Sequence, residues 1–304
     1  MCYFTRLAKN QQKLQSLFLM LVKLFRFLSI FPLPVLHALG VALGWFVYLA
    51  SPSYRKRLND NIGRAGFAAH RNKAIAESGK NILELPFIWC APPARVLRVA
   101  TVEDWEPVQT ALDAGQGLIF LAPHLGCFEI IPQIVAVKTQ ATVLYRPPRK
   151  AALKPLMEQA RARHHLTLAP ATLAGVRMLL KALKRGEVIG MLPDQVPSNG
   201  EGVWADFFGK PAYTMTLPAK LQSMSGAPII LAYSERLPRG RGYVIRFIRF
   251  EKRLGETAEQ QARTINAAME ELIARCPAQY FWSYARYKTP SGVKAAPSHA
   301  ESTT

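Results

Sequence analysis

The sequence predicts an α/β fold in which a mostly parallel central sheet is flanked by helices, with a helical membrane anchor at its N-terminus. Three observations predict it. Downstream of residue 115, short apolar runs alternate with longer segments of helical pattern, as in successive β-α-β units. The runs are apolar nearly throughout, as expected of strands buried on both faces. Upstream of residue 51 lies a long apolar stretch in which residues 27–50 contain no Lys, Arg, Asp or Glu. With 304 residues, half of them hydrophobic, the chain can bury one substantial core.

The first element runs from Leu14 to Ala50. Its uncharged part is long enough as a helix to cross a hydrocarbon core of about 30 Å, but Pro32 and Pro34 break it early. Lys23 and Arg26 interrupt the Leu/Phe-rich turns before it, as in a helix lying among headgroups with basic side chains reaching water. The following SPSYRKRLNDNIGR supplies a basic cluster suited to anionic headgroups. Residues 1–54 are therefore read as a membrane anchor, spanning or partly embedded. A hairpin of buried core helices and a cleaved signal peptide are the alternatives.

Residues 55–115 are helical and mixed in polarity, ending a Leu/Phe/Ile/Trp cluster at a Pro-Pro stop, and bridge anchor to core. Strands are predicted at 117–123, 141–147, 166–170, 188–194, 227–233 and 243–250, and helices at 127–138, 151–164, 172–185 and 214–225. In the last strand both parities carry an arginine, Arg246 and Arg249, which reads as an edge strand. Glu256 to Arg275 forms a closing helix. The α/β domain covers residues 55–290, and the Ser/Gly/Ala/Pro-rich tail 291–304 is expected to be disordered. No internal repeat is present.

A formal net charge of +19 recruits anionic partners without choosing among them. No DNA- or RNA-binding motif occurs, and the aromatics fall in apolar runs instead of interleaving with a basic patch, so no nucleic-acid partner is expected. Cys2, Cys90, Cys127 and Cys276 are far apart, with no C-x-x-C and no zinc spacing. A reducing compartment, no metal and no cofactor follow.

Residues 122–129 read APHLGCFE, placing His124 just past a strand's C-terminal end, where ligands meet open α/β sheets. His124 and Glu129 would lie about 140° apart on one continuous helix. A turn at Leu125-Gly126 would instead put Glu129 in the first turn of a new helix, folded back to steady the imidazole as a base. A structural histidine and a first-turn glutamate serving the helix dipole are the competing reading. Cys127 is a candidate nucleophile beside His124, with packing in an apolar helix as its alternative role.

The order of motifs then carries a resemblance. An N-terminal apolar segment, a strand ending in H-x-G-x-x-E, then Y-R-P, K-A-L-K-R-G-E, L-P-D-Q and F-F-G-K-P-A-Y-T-M-T together resemble the late acyltransferases of lipid A biosynthesis, within the glycerolipid-acyltransferase-like superfamily. The likeness extends to about Lys288. It implies transfer of a fatty acyl chain from acyl carrier protein to a hydroxyl of a hydroxyacyl chain on an anionic glycolipid, at the cytoplasmic face of a bacterial inner membrane. It also implies that His124 is the general base with Glu129 as its acidic partner, that Arg163 (or Arg161, two residues earlier) is functional, and that Asp194 is the aspartate of L-P-D-Q. Arg146 and Arg149 are further candidates for phosphate or oxyanion.

In PSNGEGVWADFFGKPAYTMT, a glycine-bearing loop leads into a helix, and Trp204, Phe207 and Phe208 are candidates for an acyl channel or for ordinary core. Two departures from the family pattern stand out: WSYARYK has Tyr284 and Ala285 where a polar pair is usual, which bears on the acceptor site, and Val196 follows the glutamine of PDQ where a polar residue is usual. A glycerophospholipid acyltransferase is the alternative enzyme, though such proteins usually carry aspartate in place of Glu129 and an F-P-E-G-T-like stretch, absent here. A basic, membrane-tethered nucleic-acid-binding protein is the alternative outside enzymes.

Overall fold

The computed structural model describes Ser16, residues 18–147, 154–161, Arg163 and residues 165–296. Helix α1 covers residues 18–28. It is followed by α2 (Leu33–Ala50), α3 (Pro52–Arg64), α4 (Arg71–Leu83), α5 (Leu85–Cys90), α6 (Pro93–Arg98), β1 (Ala100–Glu103), α7 (Glu106–Asp113) and β2 (Leu118–Leu121). Next come α8 (Ile131–Lys138), β3 (Ala141–Tyr145), α9 (Lys154–Arg161), β4 (Leu166–Pro170), α10 (Leu173–Lys184) and β5 (Val188–Met191). The chain continues through β6 (Gly202–Phe207), β7 (Lys210–Met215), α11 (Leu217–Ser225), β8 (Ile229–Arg236), β9 (Tyr243–Arg249) and α12 (Ala258–Arg275).

Seven strands form one sheet in the order β1-β9-β8-β2-β5-β3-β4, parallel except where β9 runs against β8. Alternate side chains of each strand serve opposite faces. Leu118, Phe120 and Val188 pack with Ile131, Ile134 and Val135 of α8 on one face. Ile119, Leu121, Ile189 and Met191 pack on the other, with α10, α11 and α12. The result is three layers with a core on each side of the sheet, each fully buried large side chain contributing about 1.5–3 kcal/mol.

Two expectations are corrected. Strand β9 is not an edge, because the short β1 pairs alongside it from Ala100↔Tyr243 to Glu103↔Arg246. Its arginines are neutralised within the structure: Arg246 lies 2.9 Å from Glu103 and 2.7 Å from Glu235, and Arg249 lies 3.0 Å from Glu106. The mixed polarity thus encodes ion pairs to neighbouring elements. Residues 202–215 form the β6–β7 hairpin where a loop was expected, while the helix expected to follow is α11. Phe208 and Gly209 both have positive φ (47° and 68°), as a tight two-residue hairpin turn requires.

Among the described residues, α2 is the one helix long and apolar enough to cross a bilayer, with 18 residues and a mean hydropathy of 1.8. One face of it packs on α4. Gly40 and Gly44 meet Gly79 so closely that a methyl group on Gly79 would collide with the Gly40 carbonyl oxygen. His37 on that face is buried 3.3 Å from Glu84, which Arg236 grips at 2.5 and 2.7 Å. The opposite face leaves Val35, Leu39, Phe46 and Leu49 exposed.

Candidate active site

Strands β2 and β5 are neighbours, with Leu121 opposite Met191, so the loops leaving them emerge at the same sheet edge. Pro123-His124 follows one strand and Pro193-Asp194-Gln195 the other. Gly126 turns the first loop with φ 58° and presses it onto β8, where a Cβ would collide with the Ser234 carbonyl oxygen. Glycine is the residue that fits there.

Asp194 holds His124 at two points. The His124 backbone N–H donates to Oδ2 at 2.9 Å, and the ring Nδ1 lies 2.7 Å from Oδ1. A carboxylate only accepts, so Nδ1 carries the proton and Nε2 presents its lone pair. Burial pushes the Asp194 carboxyl up, but the adjacent His124, through charge and both hydrogen bonds, holds it below its ordinary value. At Nε2 the Gln195 side-chain amide donates at 3.0 Å. The Phe128 ring stands edge-on to the imidazole, with centroids 4.7 Å apart.

Asp194, not Glu129, therefore orients the imidazole. Cys127 is followed by a 3₁₀ turn, Phe128–Ile130, that aims Glu129 away from the ring. The Glu129 carboxylate accepts from Trp89 Nε1 at 3.1 Å and from Arg161, whose Nε lies at 3.1 Å and whose Nη2 takes the other oxygen. A carboxylate this buried requires such pairing.

Of the two arginines in QARARHH, Arg161 is the one at the site. Helix α9 ends at Arg161, and two residues on the chain has turned away. Arg163 donates to the carbonyls of Ala91, at 2.9 Å, and Trp89, closing the end of α5. Arg146, directly after β3, lines the site, whereas Arg149 lies outside the described residues. Cys127 is buried, and burial together with Glu84 pushes its thiol up, so it is packing and not a nucleophile.

His124, Glu129, Arg146, Arg161 and Gln195 border one cavity of about 420 Å³. Its inner wall is apolar: Phe120 and Val188 from the sheet, Ile131 and Val135 from α8, Val143 from β3 and Met157 from α9. Trp204, Phe207 and Phe208 are not part of it. Phe207 is buried with Tyr280 and beneath the Arg286 guanidinium.

The WSYAR segment is structural support. The Tyr284 hydroxyl accepts the Val196 N–H at 3.0 Å, fixing the loop that carries Asp194 and Gln195. Buried Arg286 donates to the Tyr213 carbonyl and Thr214 Oγ1 at 2.8 and 2.7 Å, tying in the hairpin. Trp89 and Gln195 had no assigned role from sequence. Gln195 at least stood inside the L-P-D-Q motif, whereas nothing local marks Trp89 as a partner of a residue 40 positions away.

A histidine–carboxylate pair at the mouth of an apolar cavity suits chemistry at the head of a long hydrocarbon chain. Residues 5–289 match the family model for bacterial lipid A biosynthesis acyltransferases. The chain belongs to that family. Its curated relatives include the lipid A biosynthesis lauroyltransferase of Escherichia coli K12, 25% identical over 86% of this chain and 88% of that protein. The palmitoleoyltransferase of the same organism is 27% identical over 85% and 86%, and a lipid A biosynthesis acyltransferase of Haemophilus influenzae is 24% identical over 90% of each. The protein is thus an O-acyltransferase of lipid A biosynthesis.

Proposed function

We propose that this acyltransferase moves a fatty acyl chain from acyl carrier protein to a hydroxyl of a hydroxyacyl chain on a lipid A precursor, with His124 as general base. The observation that carries this reading is the two-point hold of Asp194 on His124 at the head of the apolar cavity. The hold leaves the proton on Nδ1 and turns the lone pair of Nε2, on which the Gln195 amide rests, toward the cavity where the acceptor hydroxyl would arrive. As the acceptor oxygen bonds the thioester carbon, its proton passes to Nε2. When the tetrahedral intermediate collapses, the C–S electron pair leaves on sulfur, which takes that proton.

In this reading the cavity takes the acyl chain. Glu129 fixes Arg161 in its wall, and Arg146 faces the anionic acceptor. The exposed apolar faces of α1 and α2, with Lys23 and Arg26 among them, contact the cytoplasmic surface of the inner membrane.

The test is acyl transfer from acyl carrier thioesters to purified precursor, followed by mass of the lipid product. His124→Ala and Asp194→Asn are each expected to lower kcat by about 10²–10⁴-fold, the range for removing or misorienting a general base. Full activity in His124→Ala would rule out His124 as the base.

A further inference from the structure

We propose that the Gln195 side-chain amide is the oxyanion donor for acyl transfer, resting on the base nitrogen until the acceptor hydroxyl displaces it. The inference rests on the acyl-transfer reading above and assigns a residue that reading leaves without a role.

A thioester attacked by an alcohol places negative charge on its carbonyl oxygen, and the site must offer a donor there. Backbone N–H groups next to the base are the usual source. Here the loop has spent them. The N–H of His124 goes to Asp194 at 2.9 Å, that of Leu125 to the Pro123 carbonyl at 2.7 Å, that of Gly126 to the Gln279 carbonyl at 3.0 Å and that of Cys127 to the Ser234 carbonyl at 3.1 Å. Arg161 turns the Nε and Nη2 edge of its guanidinium to Glu129, which holds the group in the cavity wall.

Gln195 differs from all of these. Its amide donates to His124 Nε2 at 3.0 Å, the atom whose lone pair must be vacated for the acceptor hydroxyl. Arrival of the acceptor therefore releases the donor at the moment a donor is needed. The released N–H has little distance to cover, because the acceptor oxygen on Nε2 and the carbonyl oxygen are both bonded to the same carbon in the intermediate. The backbone does not have to move: Tyr284 fixes Val196 at 3.0 Å, and only the Gln195 side-chain torsions change. Most of the cavity wall is apolar, and a donor in such surroundings is worth more than one in water.

In the step, the acceptor O–H proton goes to Nε2 while the O–C bond forms and the carbonyl electron pair moves to oxygen, where the amide N–H receives it. The carbonyl then reforms, the C–S bond breaks, and the thiolate takes the proton from Nε2. Thioester and alcohol become ester and thiol, and Gln195 returns to Nε2.

The experiment is steady-state kinetics of the full-length enzyme in detergent, with acyl carrier thioester and lipid precursor varied in turn, for wild type, His124→Ala, Gln195→Met and Gln195→Glu. Both Gln195 variants keep side-chain length and lose the donor. The expected result is a fall in kcat of about 100-fold or more, with both KM values within about twofold of wild type and an unchanged melting temperature. A kcat within about threefold of wild type in Gln195→Met overturns the assignment, and so does a loss confined to KM. If Gln195→Met folds poorly, the same two outcomes in Gln195→Glu overturn it. An inert wild type would sink the acyl-transfer reading beneath; an active wild type, a dead His124→Ala and an active Gln195→Met would sink the donor alone.

Discussion

Glu129 and Arg161 form an ion pair in the cavity wall, their side chains 8% and 15% exposed. Removing one partner leaves the other buried and uncompensated, the situation in which ion pairs matter most to stability. Glu129→Gln is expected to destabilise the fold by about 3 kcal/mol, and Glu129→Gln with Arg161→Met to recover most of that loss in a denaturant titration. A residue whose role was only to orient His124 would show no such recovery. This pair also marks how far single residues can be read from sequence. His124 and Asp194 are both legible, each at the end of an apolar strand run. Their partnership is not, because it spans 70 positions and depends on β2 and β5 being neighbours. Local spacing instead points to Glu129, five residues away, and cannot say that Glu129 is already taken by Trp89 and Arg161.

At the scale of elements, Glu84 joins α4 and α5 to β8 through Arg236, with Tyr243 of β9 donating at 3.0 Å. Burial alone would raise its carboxyl, but the Arg236 guanidinium, helped by His37, lowers it from an ordinary 4.5 to about 2. A carboxyl depressed by folding contributes in full above the unfolded value and ceases to contribute below the folded one. Stability against urea is therefore expected to fall as pH drops from 4.5 toward about 2, with a shallower fall in Glu84→Gln. A slope unchanged in that variant would assign the acid sensitivity elsewhere. Strands buried on both faces, such as β2 and β5, are legible because uniform apolarity leaves few other readings. Strand β1 is not, since only four residues form it, with alternate ones exposed. The arginines of β9 point to solvent until their carboxylate partners on β1, β8 and α7 are known.

For the whole molecule, the sequence announces an apolar N-terminal region but not the way it is seated. The α2 face that packs on α4 does so through Gly40, Gly44 and Gly79, and a glycine pair with its partner 35 or more residues away has no local signature. This seating bears on the proposed membrane contact. Both ends of α2 touch the polar domain: Pro34 meets Gly240 at one end, and Tyr48 donates to Asn59 at 3.1 Å near the other. A helix held so along its length leaves one side for the proposed lipid contact, and that exposed side carries Val35, Leu39, Phe46 and Leu49. Leu39→Asp with Phe46→Asp would remove two large apolar anchors, each worth about 1.5–3 kcal/mol when buried, and add like charge facing an anionic surface. Binding to phosphatidylglycerol-containing vesicles in a flotation assay is expected to weaken by about 100-fold or more, while acyl transfer in detergent persists because neither residue borders the cavity. Wild-type binding should also weaken as salt rises, since a net charge of +19 adds an attraction that ions screen. Vesicle binding that ignores both the two aspartates and salt would place the lipid contact on another surface and leave the exposed stripe of α2 without that role.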